Sequence, residues 1–168
     1  MPDWPSASVE PSEGRCRLAT VPRFLKALTA LLVVFLALQF VPYGRDHDNP
    51  RSIEEPKWDS TRTRALVVDS CFECHSNLTE RQWFASVAPV SWLMQRDIEN
   101  GREALNFSEW NTPQLADIDA VIASIRSEEM PPRWYRLAHG AARLSANERQ
   151  ELEEGLAATF SASPAGDE

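Results

Sequence analysis

Cysteine is scarce in this chain. Three residues in 168 are too few to staple a protein of this length as a disulfide scaffold. Positive charge is also short: 17 basic residues face 25 acidic ones, a formal net charge of −8. That balance argues against a phosphate backbone as the main partner, and no nucleic acid is expected. With three histidines, a four-ligand structural zinc site would have to be completed by carboxylates. No internal repeat is visible, and nothing between residues 59 and 160 reads as a strand or as a βαβ unit. What is present is a 43% apolar fraction, enough to build a core. The length fits one compact domain with a short extra segment.

The charge is unevenly placed. Residues 1–26 hold four cations against three acids, and the rest of the chain holds thirteen against twenty-two. The cations Arg15, Arg17, Arg23 and Lys26 precede the uncharged run Ala27–Val41 (ALTALLVVFLALQFV). Pro22 and Pro42 bracket that run and should stop a helix at both ends. With Phe24 and Leu25 added and Lys26 snorkelling, the length approaches a membrane span. The pattern predicts an uncleaved transmembrane anchor over 24–41, with the N-terminus in the cytoplasm and the bulk exported. A cleaved signal peptide would want a small-x-small site, and Gln39-Phe40-Val41-Pro42 offers none. A buried core helix would show a polar face, which this segment lacks. Residues 1–20, rich in Pro, Ser and Glu, read as a disordered cytoplasmic segment containing Cys16 as a free thiol. Residues 42–58, with three prolines among charges, read as a linker. The working domain is predicted over 59–160, and 161–168 is a small polar tail.

One short motif carries the chemistry. Cys71-Phe72-Glu73-Cys74-His75 is C-x-x-C-H, the attachment signature of c-type haem. Cys71 and Cys74 would form thioethers to the two vinyl groups. His75, one position further, would lie under the iron as proximal ligand. A thioredoxin-like pair would want a βαβ frame, and a plain Cys71–Cys74 disulfide leaves His75 without a role. Thioether attachment and export support each other, since that attachment belongs outside the cytoplasm.

The distal iron position has named candidates. Met130 precedes Pro131-Pro132, which end the preceding helix and leave the thioether on an extended loop. A histidine–methionine pair suits an electron-transfer site. His139 is the alternative ligand, while Met94, on a helical stretch, reads as core packing.

The helices can be placed around these ligands. Asp59 or Ser60 caps a first helix running to about Cys74. Pro89 begins a second, which Gly101 should stop. Thr112-Pro113 starts a third, with the stripe Leu115, Ile118, Val121, Ile122 and Ile125. Ser145-Ala146-Asn147-Glu148 is a capping-box pattern opening a fourth, which buries Leu152, Leu156 and Phe160. The aromatics after the motif read as core, and Arg133-Trp134-Tyr135-Arg136 as candidates to face haem propionates.

Four segments together carry a family resemblance. They are Cys71-Phe72-Glu73-Cys74-His75-Ser76-Asn77, Val87-Ala88-Pro89-Val90-Ser91-Trp92-Leu93, Leu105-Asn106-Phe107-Ser108-Glu109-Trp110 and Met130-Pro131-Pro132. The chain resembles, over about residues 42–157, a bacterial family of haem-binding-domain proteins, small membrane-anchored monohaem c-type cytochromes. Gln82-Trp83-Phe84 departs from it in lacking a proline between the aromatics. The resemblance implies one covalent haem c on Cys71 and Cys74, His75 as proximal ligand and Met130 as distal ligand.

The expected architecture is all-α, a cytochrome c-like domain behind an N-terminal transmembrane helix. The expected function is one-electron transfer at the periplasmic face of the inner membrane, with a basic redox partner and lipid contact through the anchor. Two other classes stand beside it: a haem sensor or small peroxidase-like enzyme with a displaceable sixth site, and a non-haem assembly protein using a Cys71–Cys74 disulfide. A domain this small with haem in its core should be partly unfolded without it. Thermal melts should separate the haem-loaded chain from the haem-free one, and coincident melts would refute this.

Overall fold

The computed structural model describes residues 22–166, and Cys16 with the N-terminal segment lies outside them. The chain divides into an N-terminal unit ending at Ala37 and a domain starting at Leu38. The uncharged run as far as Leu38, with Arg23, Phe24, Leu25 and Lys26 ahead of it, forms helix α1, Arg23–Leu38, with no side chain buried. Sixteen residues at 1.5 Å each reach about 24 Å, against a hydrocarbon core of about 30 Å. The predicted span over 24–41 is therefore corrected. The helix ends at Leu38, Gln39 and Phe40 turn, and residues 41 and 42 have left it ahead of Pro42. Among the described residues no helix is long and apolar enough to cross a membrane.

The domain is all-helical, with no named strand among its described residues. Helix α2 spans Thr61–Ser70, and the Ser60 side chain caps it by accepting from the Thr63 N–H. The first predicted helix does not run on to Cys74. It breaks at Cys71 (φ −125°, ψ −34°), and a single turn, α3, follows over Phe72–His75. Helix α4 covers Val90–Ala104 and continues past Gly101, the residue expected to stop it. Helix α5 starts only at Ile118, because Asp117, not Thr112, supplies the cap, accepting from the Ala120 N–H. Leu115 thus falls outside the helix and is 76% exposed. Helix α6, Arg133–Ala138, is short. Helix α7, Ala146–Ala162, opens on Ser145 and Glu148 with both halves of the predicted capping box formed.

The core joins α2, α3, α5 and α7. Leu66, Val67, Phe72, Ile125, Leu152 and Leu156 are buried with Leu105, Phe107 and Trp110 from the segment after α4. Phe107 is its centre, with ring centroids 5.4 Å from Trp58, 5.9 Å from Phe72 and 5.8 Å from Trp110. Such offset and tilted packing is favoured by the ring quadrupoles. Gly155 of α7 lets α2 come close, since a Cβ there would overlap the Thr63 side chain.

The segment 42–58, read as a linker, belongs to the domain. The Ile53 and Glu54 N–H groups donate to the Ser108 carbonyl at 2.8 and 3.1 Å, and the Trp110 N–H donates to the Glu54 carbonyl at 3.0 Å. Pro50 and Pro56 lack donors, but Ile53 and Glu54 between them pair as an extended edge would, with Glu54 in an isolated parallel bridge to Glu109. Trp58 then packs on the core while its indole N–H donates to Glu55 Oε2 at 2.9 Å. The predicted polar tail is also held: the Ser163 carbonyl accepts from Trp110 Nε1 at 2.7 Å.

Glu55 ties the incoming segment to α2. It accepts from Arg64 Nε at 2.7 Å and from Nη2 at 2.8 Å. The Arg64 guanidinium holds its carboxyl below the ordinary value of 4.5. A depressed carboxyl contributes stability above its unfolded value and loses it as pH falls through the folded one. Glu55→Gln is expected to lower stability at pH 7 by about 0.5–1 kcal/mol. The difference from wild type should vanish in acid, in denaturant titrations run across pH 2–7.

Candidate functional site

The break between α2 and α3 sets the site. With Cys71 out of helical geometry, α3 turns away from α2. The His75 N–H donates back to the Cys71 carbonyl at 2.9 Å, closing the turn. Cys71, Cys74 and His75 thereby line one cavity of about 430 Å³, within the range of cofactor sites. The rest of its wall is largely apolar. Gly101, Ala104 and Leu105 come from α4 and its exit, Val121 and Ile125 from α5, Leu152 and Leu156 from α7. Met130, Pro131, Pro132, Trp134 and Tyr135 complete it from the loop before α6 and from α6 itself.

Three features prepare His75. Its Nδ1 lies 3.0 Å from the Leu105 carbonyl, an acceptor only, so Nδ1 carries the proton and Nε2 keeps its lone pair. Its own carbonyl accepts from the Phe107 N–H at 2.8 Å. Burial pushes the imidazole pKa down, partly opposed by the hydrogen bond to Leu105. A neutral, oriented imidazole is what metal ligation requires.

The two thiols are also held neutral. Burial pushes Cys71 up to about 11, and burial with the nearby Asp97 and Glu73 charges pushes Cys74 up to about 12. No disulfide joins them. Burial likewise raises the Glu73 and Asp97 carboxyls, and the phenol of the buried Tyr135. The cavity therefore disfavours charge on nearly every group that lines it.

Met130 lines the same cavity, its N–H donating to the Ser124 carbonyl at 3.1 Å and the residue 41% exposed. His139, the alternative ligand, lies elsewhere. It lines a separate depression with Val68, Leu78 and Gly140, its ring stacked on Tyr135 at 4.0 Å. Met94 does not line the cavity. Of the residues considered for propionates, Trp134 and Tyr135 face the cavity, whereas Arg136 pairs with Glu128 at 3.3 Å.

Gly101 was read as a helix stop, and its role is different. A Cβ there would sit 2.5 Å from the Cys74 carbonyl oxygen. The missing side chain lets α4 and the backbone of α3 meet at the cavity wall. A glycine inside a helix costs about 1 kcal/mol relative to alanine, and that cost was the signal that something close lay opposite. The Leu105 carbonyl left no such signal, since any residue has one.

A soft thioether, a neutral imidazole and two thiols, gathered in an apolar cavity of this size inside an all-helical domain, define a haem-binding fold in class. The donor set and the wall fit the group. The chain matches the model of the haem-binding domain family over residues 33–158, and it belongs to that family. No curated protein and no solved structure matches it.

Gly101→Ala should cost about 1–3 kcal/mol, because the added methyl meets backbone that cannot rotate away. Urea unfolding of the variant measures it, and an unchanged midpoint would refute the close approach.

Proposed function

We propose that the domain carries one haem c, joined through thioethers to Cys71 and Cys74, and works as a one-electron carrier. The observation that supports this is the convergence of Cys71, Cys74, His75 and Met130 on one apolar cavity. When bound, the haem supplies the redox chemistry. The chain's residues do the rest. Cys71 and Cys74 hold the group to the short α3 turn. His75 offers Nε2 as proximal ligand, fixed by the Leu105 carbonyl. Met130 offers its sulfur as distal ligand, a pairing that favours a raised potential. Val121, Ile125, Leu152 and Leu156 keep water from the cavity.

The acidic domain favours a basic redox partner. Thioether attachment and the cations ahead of the apolar run support an extracytoplasmic domain. The exposed leucines of α1 are the surface assigned to lipid. Fractionated cells should hold the chain with the membranes at neutral pH, and its recovery in the soluble fraction would count against this assignment.

A second reading, a sensor or small haem enzyme, is favoured by one observation: Met130 is two-fifths exposed, so an incoming ligand can reach its position.

Two measurements test the carrier. A haem stain should survive denaturing electrophoresis and vanish in Cys71→Ala/Cys74→Ala; a retained stain would refute the attachment sites. The ferric spectrum should be low-spin with the weak far-red band of methionine ligation, and Met130→Ala should abolish that band. A high-spin wild-type spectrum would favour the sensor or enzyme.

A further inference from the structure

The segment Leu105–Glu109 holds His75 at two points, yet it has no helix or strand of its own. Its shape comes from buried side chains. Asn77 is 1% exposed, Asn106 5% and Ser108 0%. Asn106 Nδ2 donates to Asn77 Oδ1 at 3.0 Å, and Asn106 Oδ1 accepts from the Ser108 N–H at 3.0 Å. Ser108 Oγ accepts from the Asn77 N–H at 2.9 Å, which closes the ring. Asn77 Nδ2 then donates to Glu109 Oε1 at 2.8 Å and to the Arg51 carbonyl at 3.1 Å. The Asn106 N–H itself donates to Gln114 Oε1 at 2.7 Å.

Burying two amides is costly unless their hydrogen bonds are made. A pair of apolar side chains would fill the same space without that demand. What the amides add is direction. The closed ring fixes the turn at 106–108, and so aims the Leu105 carbonyl at His75 Nδ1 and the Phe107 N–H at the His75 carbonyl.

We propose that Asn77 and Asn106 are positioning residues for the proximal ligand, acting through Leu105 to set the orientation and basicity of the His75 imidazole and thus the reduction potential. This rests on the reading of His75 as an iron ligand. A hydrogen bond from Nδ1 makes the imidazole a stronger donor. A stronger donor stabilises the ferric form and lowers the potential. Loosening the ring must therefore raise it.

The test uses the full chain with its haem. Asn106→Ala removes two bonds of the ring, and Asn106→Asp sets a carboxylate against Asn77 Oδ1. Both should raise the ferrous-to-ferric ratio at fixed solution potential by up to about tenfold, which for one electron is about 59 mV. The His75 Nδ1–H resonance of the ferrous protein should move upfield with it. Ser145→Ala, which weakens the α7 cap far from His75, is the control: it should lower the melting temperature and leave potential and resonance unchanged. If Asn106→Ala does not fold, Ser108→Ala opens the ring at one bond, with a smaller shift of the same sign. Folded ring variants with unmoved potential and resonance would overturn the proposal, as would a control that shifts them equally. A wild-type chain without a denaturation-resistant haem stain overturns the thioether attachment alone, and a purified wild-type chain with no haem absorption overturns the reading of His75 as an iron ligand.

Discussion

The grip on His75 is the constraint on which the domain depends. An imidazole in an apolar cavity gains nothing from water, so its orientation must come from protein dipoles. The Leu105 carbonyl at 3.0 Å and the Phe107 N–H at 2.8 Å supply it. Both belong to the chain just past α4, so α4 must end where it does and lie where it does. Gly101 allows that approach to α3. Phe107, whose backbone serves His75, carries the ring at the centre of the aromatic core. The orientation of His75 and the packing of the core are thus one arrangement: disturbing either moves the other.

The cavity is the energetic counterpart of that grip. Ile125 of α5 and Leu152 and Leu156 of α7, packed together in the core, also wall the cavity of about 430 Å³. An apolar wall of this extent offers dispersion contacts to a group of matching shape. A large flat apolar group would make them and bring its own ligand bonds. Binding and folding are then linked. Raised carboxyl, phenol and thiol pKa values around the wall describe the same low-polarity space from the side of the titrating groups.

Much of this was legible in the sequence, for physical reasons that differ by element. The α7 cap was readable because a capping box is local: Ser145 and Glu148 satisfy each other within one turn. The C-x-x-C-H spacing was readable because it encodes a local geometry. The helix limits at Gly101 and Thr112 were misread because local signals were overruled by tertiary ones. A glycine that looks like a stop is a contact with Cys74, and Thr112 is engaged in a turn with Glu109 while Asp117 caps the helix. The segment 42–58 looked like a linker because proline and charge normally exclude burial. The pairing of Ile53 and Glu54 with Ser108, more than fifty residues away, has no local trace. The loop ring of Asn77, Asn106 and Ser108 was visible as letters only; its meaning needs three dimensions.

The placement of α7 bears on the order in which the domain is assembled. Leu152 and Leu156 wall the cavity, and Thr159 and Ser163 tie down Asp59 and Lys57. The C-x-x-C-H motif lies some eighty residues earlier in the chain. A chain emerging from its N-terminal end presents Cys71 and Cys74 long before the helix that closes over them exists. The thiols thus have a window in which they are reachable, and docking of the last helix ends it.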